Sequence, residues 1–276
     1  MKWSSGGRSP NLEDRRGRGV GMPLGIGGGV LALILSLIFG PGILSDSGTS
    51  TSSSGDVGLS PADSAREEPM VQFVSFVLDD AQKTWDSAFD RAGGSYRPAN
   101  LVLFRDGTVS GCGTAESAMG PFYCPLDEKV YLDLSFFDEL DKRFGAPGDF
   151  AQGYVIAHEL GHHVQHLQGI DARVRQLQRN NPDATNPLSV RLELQADCYA
   201  GVWAHSAAER GKLETGDIEE GLGAASAVGD DRIQRRTTGG VNVDAFTHGS
   251  AQQRSQWFRR GFESGSSNSC DTFGSQ

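Results

Sequence analysis

Two histidines four residues apart, with a glutamate beside the first, constrain this chain more than any other stretch: His158-Glu159-Leu160-Gly161-His162. On a helix, residues i and i+4 stand on one face, one turn apart. Imidazoles so placed can reach one zinc ion. The glutamate then points toward the open side of the metal, where it can take a proton from water. The pentapeptide is only half of such a centre. The stretch must be helical, a third ligand must arrive from elsewhere, and the fourth coordination position must stay open.

A helix is expected over 149–168. Asp149, after Pro147-Gly148, reads as its cap. Phe150, Tyr154, Ile156, Ala157, Leu160 and Val164 supply apolar positions, and Gly169 can end it. His166 shares the face of 158 and 162, but eight residues of helix rise about 12 Å while a ligand sits about 2 Å from zinc. His158 and His166 cannot share one ion on an unbroken helix. His163 and His166 are therefore expected at the polar surface or as supports behind the ligands. A second helix offers a better third ligand. Asn186-Pro187 signals its start, Leu188, Leu192, Ala196, Tyr199 and Trp203 follow at mostly helical spacing, and Gly211 is a stop. Glu193 and Asp197 project from one face of it. One carboxylate can ligate zinc while the other accepts the N–H of a ligand imidazole. Their neighbours Leu192, Leu194, Ala196, Cys198 and Tyr199 form a largely apolar stretch, where acids often need a partner.

His158–Gln165 (HELGHHVQ), Glu193–Gly201 (ELQADCYAG) and Phe246–Gly265 (FTHGSAQQRSQWFRRGFESG) together resemble the bacterial neutral zinc metallopeptidase family, whose members are described as membrane-anchored. The likeness includes Glu13-Asp14-Arg15-Arg16-Gly17 and spares only the Ser-rich linker. It implies a thermolysin-like Glu-zinc site: one Zn2+ per chain held by His158, His162 and Glu193, with Glu159 as general base and Asp197 behind a ligand. The gap of 31 residues from His162 to Glu193 exceeds the thermolysin pattern, so the stretch including Asn180-Asn181-Pro182-Asp183 reads as an insertion. Related peptidases place a histidine after the second ligand helix to stabilise the oxyanion. His248 is that candidate, against the plainer reading of a loop histidine with a structural hydrogen bond. Tyr199 and Asp244 are weaker supports, and His205 reads as a helix-surface residue. An edge strand that pairs with extended substrate is also implied. Ala118–Tyr123 is the candidate, with an ordinary edge strand as the equal alternative.

The N-terminal part reads differently. Residues 24–44 are mostly apolar and long enough for one bilayer core. Lys2, Arg8, Arg15, Arg16 and Arg18 precede them, against Glu13 and Asp14, and positive flanks favour the cytoplasm. Ile43-Leu44-Ser45-Asp46-Ser47 is a poor leader-cleavage site. The expected division is a basic cytoplasmic tail (1–23), a single transmembrane anchor (24–44), a flexible Ser/Gly-rich linker (45–66) and an extracytoplasmic zinc metallopeptidase domain (67–276). Net charge is −10, with +3 in residues 1–44 and −13 beyond, which disfavours nucleic acid. The expected partners are a peptide or protein substrate and the membrane; oligomeric state is not legible. Four cysteines fit an oxidising space. Cys112 with Cys124 and Cys198 with Cys270 is one of three possible connectivities.

Residues 67–91 read as an amphipathic helix. Strands are expected at 100–104, 120–124 and 129–133, and a helix at 136–144. The fold class is α+β: a mainly helical zinc-peptidase domain with a small sheet, preceded by one transmembrane helix. The expected function is zinc-dependent hydrolysis of peptide bonds. A non-catalytic zinc-binding envelope scaffold and a metal-dependent hydrolase of a non-peptide amide are the alternatives.

Overall fold

Successive residues of a strand face opposite ways, so Leu101 and Leu103 share one face and Val102 and Phe104 the other. All four are buried, and this strand needs cover on both sides. A computed structural model describes residues 1–17 and 60–274 and shows what supplies it. The strands are β1 (Leu12–Asp14), β2 (Asn100–Phe104), β3 (Gly107–Ser110), β4 (Gly113–Glu116), β5 (Phe122–Cys124) and β6 (Lys129–Asp133). One sheet runs β1-β2-β6-β5, with β5 antiparallel to β6 and the other pairs parallel, while β3 and β4 form a separate hairpin.

The helices are α1 (Pro61–Arg91), α2 (Ser135–Lys142), α3 (Asp149–Leu167), α4 (Ile170–Asn180), α5 (Thr185–Glu209), α6 (Asp217–Ala227), α7 (Asp230–Thr238) and α8 (Ala251–Ser264). Leu101, Leu103, Val130 and Leu132 meet Val74, Val77 and Leu78 of α1 and the start of α3 in the main core. Val102, Phe104 and Tyr131 form a smaller core on the other face with Cys124, which is bridged to Cys112. The second disulfide joins Cys198 of α5 to Cys270. The fold is thus α+β and mainly helical, as its pattern suggested.

Several boundaries differ from expectation. α1 begins at Pro61, not 67, because the Ser60 hydroxyl accepts from the Asp63 amide and proline suits the first helical position. Pro69 lies inside it, and residues 61–66 belong to helix rather than linker. Gly148, not Asp149, caps α3; Asp149 instead accepts a 2.6 Å hydrogen bond from the Met1 ammonium. The stretch read as an insertion is α4 and a short 3-10 turn connecting α3 to α5. The largest difference is the N-terminal tail. Residues 1–17 are built into the domain: Leu12, Glu13 and Asp14 pair with Leu101, Val102 and Leu103, and Trp3 packs edge-on against Phe73 at 5.4 Å. The expected span 24–44 and the linker up to residue 59 lie outside the described residues. Among the described residues no helix is long and apolar enough to cross a membrane.

The most extensive helix contact is α5 on α8. Gly201 and Gly261 make it possible. A Cβ on Gly261 would overlap the Cys198 carbonyl, lying 2.8 Å from its carbon, and one on Gly201 would lie 2.7 Å from the Phe262 nitrogen. Backbone meets backbone there.

Candidate metal centre

α3 is buried nearly all round, yet His158, Glu159 and His162 present polar atoms to a cleft. α5 crosses α3 beside the motif. Gly161 sets how close: a Cβ there would lie 3.1 Å from Ala196 Cα. That approach puts Glu193, one turn before Asp197, opposite both histidines. His158 Nε2 stands 3.2 Å from Glu193 Oε2, and His162 Nε2 stands 3.5 Å from Glu193 Oε1.

The hydrogen bonds behind the imidazoles fix their tautomers. Asp197 is fully buried, and its Oδ1 lies 2.9 Å from His158 Nδ1. A carboxylate only accepts, so His158 carries its proton on Nδ1. Behind His162 stands Gln165, whose amide nitrogen donates to the Leu192 carbonyl at 2.7 Å and to Gln195 Oε1. Its oxygen is therefore turned to His162 Nδ1, 2.9 Å away. Both Nε2 atoms are then turned to one carboxylate; a proton sits between them while the pKa is held up, and once it leaves three ligand atoms face one place, as a cation requires. Tetrahedral ligands about 2.0–2.1 Å from zinc are about 3.3 Å apart. Each Nε2 stands at about that spacing from one oxygen of Glu193, and the ligand atoms of the three residues lie within 4.8 Å of one another, so His158, His162 and Glu193 suit one zinc ion.

Asp197 is itself held. Arg254 of α8 donates through Nε to Oδ2 at 2.8 Å and through Nη2 to Oδ1 at 2.9 Å, and the Tyr154 hydroxyl also donates to Oδ1. Burial alone would push the His158 imidazole down, but Asp197 and Glu193 overcome it and hold the pKa up at about 10. Burial would likewise raise Glu193, yet His162 and His248 keep it well below the usual carboxylate range. Glu159 bears the reverse balance: burial dominates and raises it.

His248 lines the same cleft. Asp230, at the first position of α7, accepts the amide protons of Thr247, His248 and Gly249 on Oδ2. Its Oδ1 lies 3.3 Å from His248 Nδ1. The imidazole is thus oriented by a carboxylate, as His158 is. Burial acts to lower His248, and Glu193 with Asp230 raises it.

The remaining candidates separate. His163 is fully buried rather than superficial, between the Tyr123 hydroxyl at 3.0 Å and the Arg97 carbonyl at 2.6 Å. His166 lies 2.9 Å from Asp171, away from the metal-ligand cluster. The Tyr199 hydroxyl donates to Gln168, and Asp244 is exposed in a 3-10 turn, so neither supports the centre. His205 Nδ1 meets the Phe262 carbonyl. Of the segment 118–123, the first part is a 3-10 turn, and the edge strand proper is β5 at 122–124, along one wall of the cleft. Gln165, Tyr154, Asp230 and Arg254 were not assigned these roles from sequence.

A family model described as putative neutral zinc metallopeptidase matches residues 1–273. The chain belongs to this family. It is 48% identical over 99% of both chains to the uncharacterized protein YpfJ of Escherichia coli K12. It is 47% identical to an uncharacterized protein of Mycobacterium bovis, over 64% of this chain and 63% of that one. No solved structure matches significantly. The family name indicates a hydrolase that uses zinc, in agreement with the donor set.

Proposed function

We propose that the chain is a zinc-dependent peptidase with one zinc ion per chain, bound by His158, His162 and Glu193. The observation that carries this reading is the convergence of two Nε2 atoms and the Glu193 carboxylate within 4.8 Å of one another, with Glu159 beside them in an open cleft of about 520 Å3. Bound zinc would polarise the scissile carbonyl and lower the pKa of water. Glu159 accepts the water proton and passes it to the leaving amine. His248, held by Asp230, donates to the oxygen on which negative charge develops. Asp197 and Gln165 keep the ligand imidazoles in the tautomer that offers Nε2. The substrate backbone extends along β5, whose outer edge has no strand partner among the described residues. Two disulfides support an extracytoplasmic site.

The test is Glu159→Gln in the purified protein, beside Glu193→Ala. Glu159→Gln should keep zinc and the fold and lower kcat/KM on a peptide library by about 10²–10⁴-fold. Glu193→Ala should lose zinc. Full peptidase activity in Glu159→Gln would refute the assigned base. Cleavage of envelope amides but not of peptides would move the substrate class, and zinc binding without any hydrolysis would mark a scaffold.

A further inference from the structure

The C-terminal segment lies along α5, behind the metal centre. Cys270 closes a 3-10 turn (Ser267–Cys270) that follows α8, and its sulfur is bonded to Cys198. Three positions of α5 meet this segment. The Thr272 hydroxyl donates to the Arg191 carbonyl at 2.7 Å, Gln195 Nε2 donates to the Cys270 carbonyl at 3.0 Å, and Cys198 carries the bridge. Arg191, Gln195 and Cys198 are spaced by four and three residues, so they form one stripe of the helix. Glu193 and Asp197 each stand two residues on from a member of that stripe, and so on the other side of α5. The segment therefore holds the ligand helix from behind.

The two ends of an amide side chain are nearly alike in shape, so its partners decide which end is the oxygen. The Cys270 carbonyl only accepts. It draws the Gln195 nitrogen and turns Gln195 Oε1 to Gln165, whose Nε2 donates to it at 3.1 Å. Gln165 Oε1 then faces His162 Nδ1 at 2.9 Å. Donor and acceptor alternate without a break from a main-chain carbonyl to an imidazole that keeps its proton on Nδ1. Gln195 and Gln165 are only 4% and 0% exposed, so a partner lost here leaves a buried polar group unpaired. The Leu192 carbonyl draws the Gln165 nitrogen the same way, at 2.7 Å. Reversing Gln165 would set its oxygen against two acceptors and turn an N–H to His162, which would move the imidazole proton to Nε2. We propose that Gln195 and the Cys198–Cys270 bridge position the ligand His162: the bridge places the Cys270 carbonyl, and that carbonyl sets the direction of the two amides. The proposal rests on the zinc site of His158, His162 and Glu193.

The test is the zinc affinity of the purified full chain, read by competition with a chromophoric chelator. Gln165→Met removes the contact to His162 itself. Partners behind a ligand imidazole are worth about 10–100-fold in metal affinity, and Gln165→Met should weaken zinc binding within that range. Gln195→Met should weaken it less, by about 3–10-fold, because Leu192 still holds Gln165. In the Gln165→Met background, Gln195→Met should have no further effect on affinity, even where urea melts show an added loss of stability. Equal weakening by Gln195→Met in both backgrounds, or weakening in neither, would overturn the proposal. Cys198→Ala with Cys270→Ala should weaken zinc as Gln195→Met does. Cys112→Ala with Cys124→Ala removes the bridge in the small core on the far face of the sheet and should leave zinc affinity unchanged. Equal weakening on loss of either bridge would mark a general effect of stability and refute the relay. The glutamine variants keep both bridges, so their cycle decides the matter even where a cystine variant fails to fold. A wild-type chain that binds no zinc would refute the site itself, and the proposal with it.

Discussion

Gly261→Ala tests whether the contact of α5 with α8 supports the metal centre. The added methyl group would overlap the Cys198 carbonyl, standing 2.8 Å from its carbon and 3.0 Å from the Val202 nitrogen. Ordinary carbon contacts are about 3.5–4.0 Å, so relief requires the helices to part by about 1 Å. These neighbours are backbone and cannot rotate aside. Overpacking costs about 1–3 kcal/mol, and alanine returns about 1 kcal/mol of helix propensity. Because backbone is struck and cannot yield, the cost lies at the upper end of that range, so the net loss should be about 2 kcal/mol, or about 4–8 °C in Tm for a domain of this size. Arg254 rides on α8 and His248 precedes it, so both shift relative to Asp197 and Glu193. A misplacement of about 1 Å can cost about 100-fold in rate. Urea melts, zinc competition with a chelator and peptide turnover read the three effects separately. The control is Gly223→Ala in α6, where nothing lies within 4 Å of the new Cβ; it should stabilise by about 0.5–1 kcal/mol. If Gly261→Ala matched the wild type in stability and zinc affinity, the close crossing would not be what positions α8.

Asp197→Asn should strand the buried Arg254 charge and cost about 3–5 kcal/mol, and adding Arg254→Met should recover much of it; additive losses in urea melts would contradict the pairing. Zinc uptake should depend on pH. His158, held near 10 without zinc, must give up a proton to ligate, so apparent affinity should rise about tenfold per pH unit below that value, and a flat profile would exclude the coupling. His163 should make stability fall in acid. Burial lowers its folded pKa, while the unfolded chain takes up a proton below about 6.5. Its contribution is complete above that pH and is lost as pH falls through the folded value. The destabilisation by His163→Gln should therefore be larger at about pH 8 than at about pH 5, and an equal loss at both would show that the imidazole does not titrate in this way.

The two long helices of the centre were legible because helical spacing, Pro187 and the flanking glycines act locally. Reach along a helix axis excluded His166 before any tertiary information was needed. Gln165 stood in the same motif, but its role depends on Leu192 and Gln195 across the helix crossing. Nothing local singles out Arg254 or Asp230; only the tertiary fold brings them to Asp197 and His248. The start of α1 was misplaced because Pro69 fits a first turn at 67 as well as an interior position. β1 was missed for another reason. Three residues with two acids among them carry no strand periodicity, and its pairing with β2 exists only once the chain has returned from residue 60.

The spacer residues of the motif also carry meaning. Gly161, normally written as a position open to any residue, touches the Ala196 backbone and so sets the separation of the two helices. The distances from Glu193 to the two histidines follow from that separation. Thus the ligand triangle is a gauge of helix spacing, with bond lengths of about 2 Å to read it. A change at Gly161 too small to disturb the core would still shift Glu193 against both histidines, from a residue that offers no ligand atom itself.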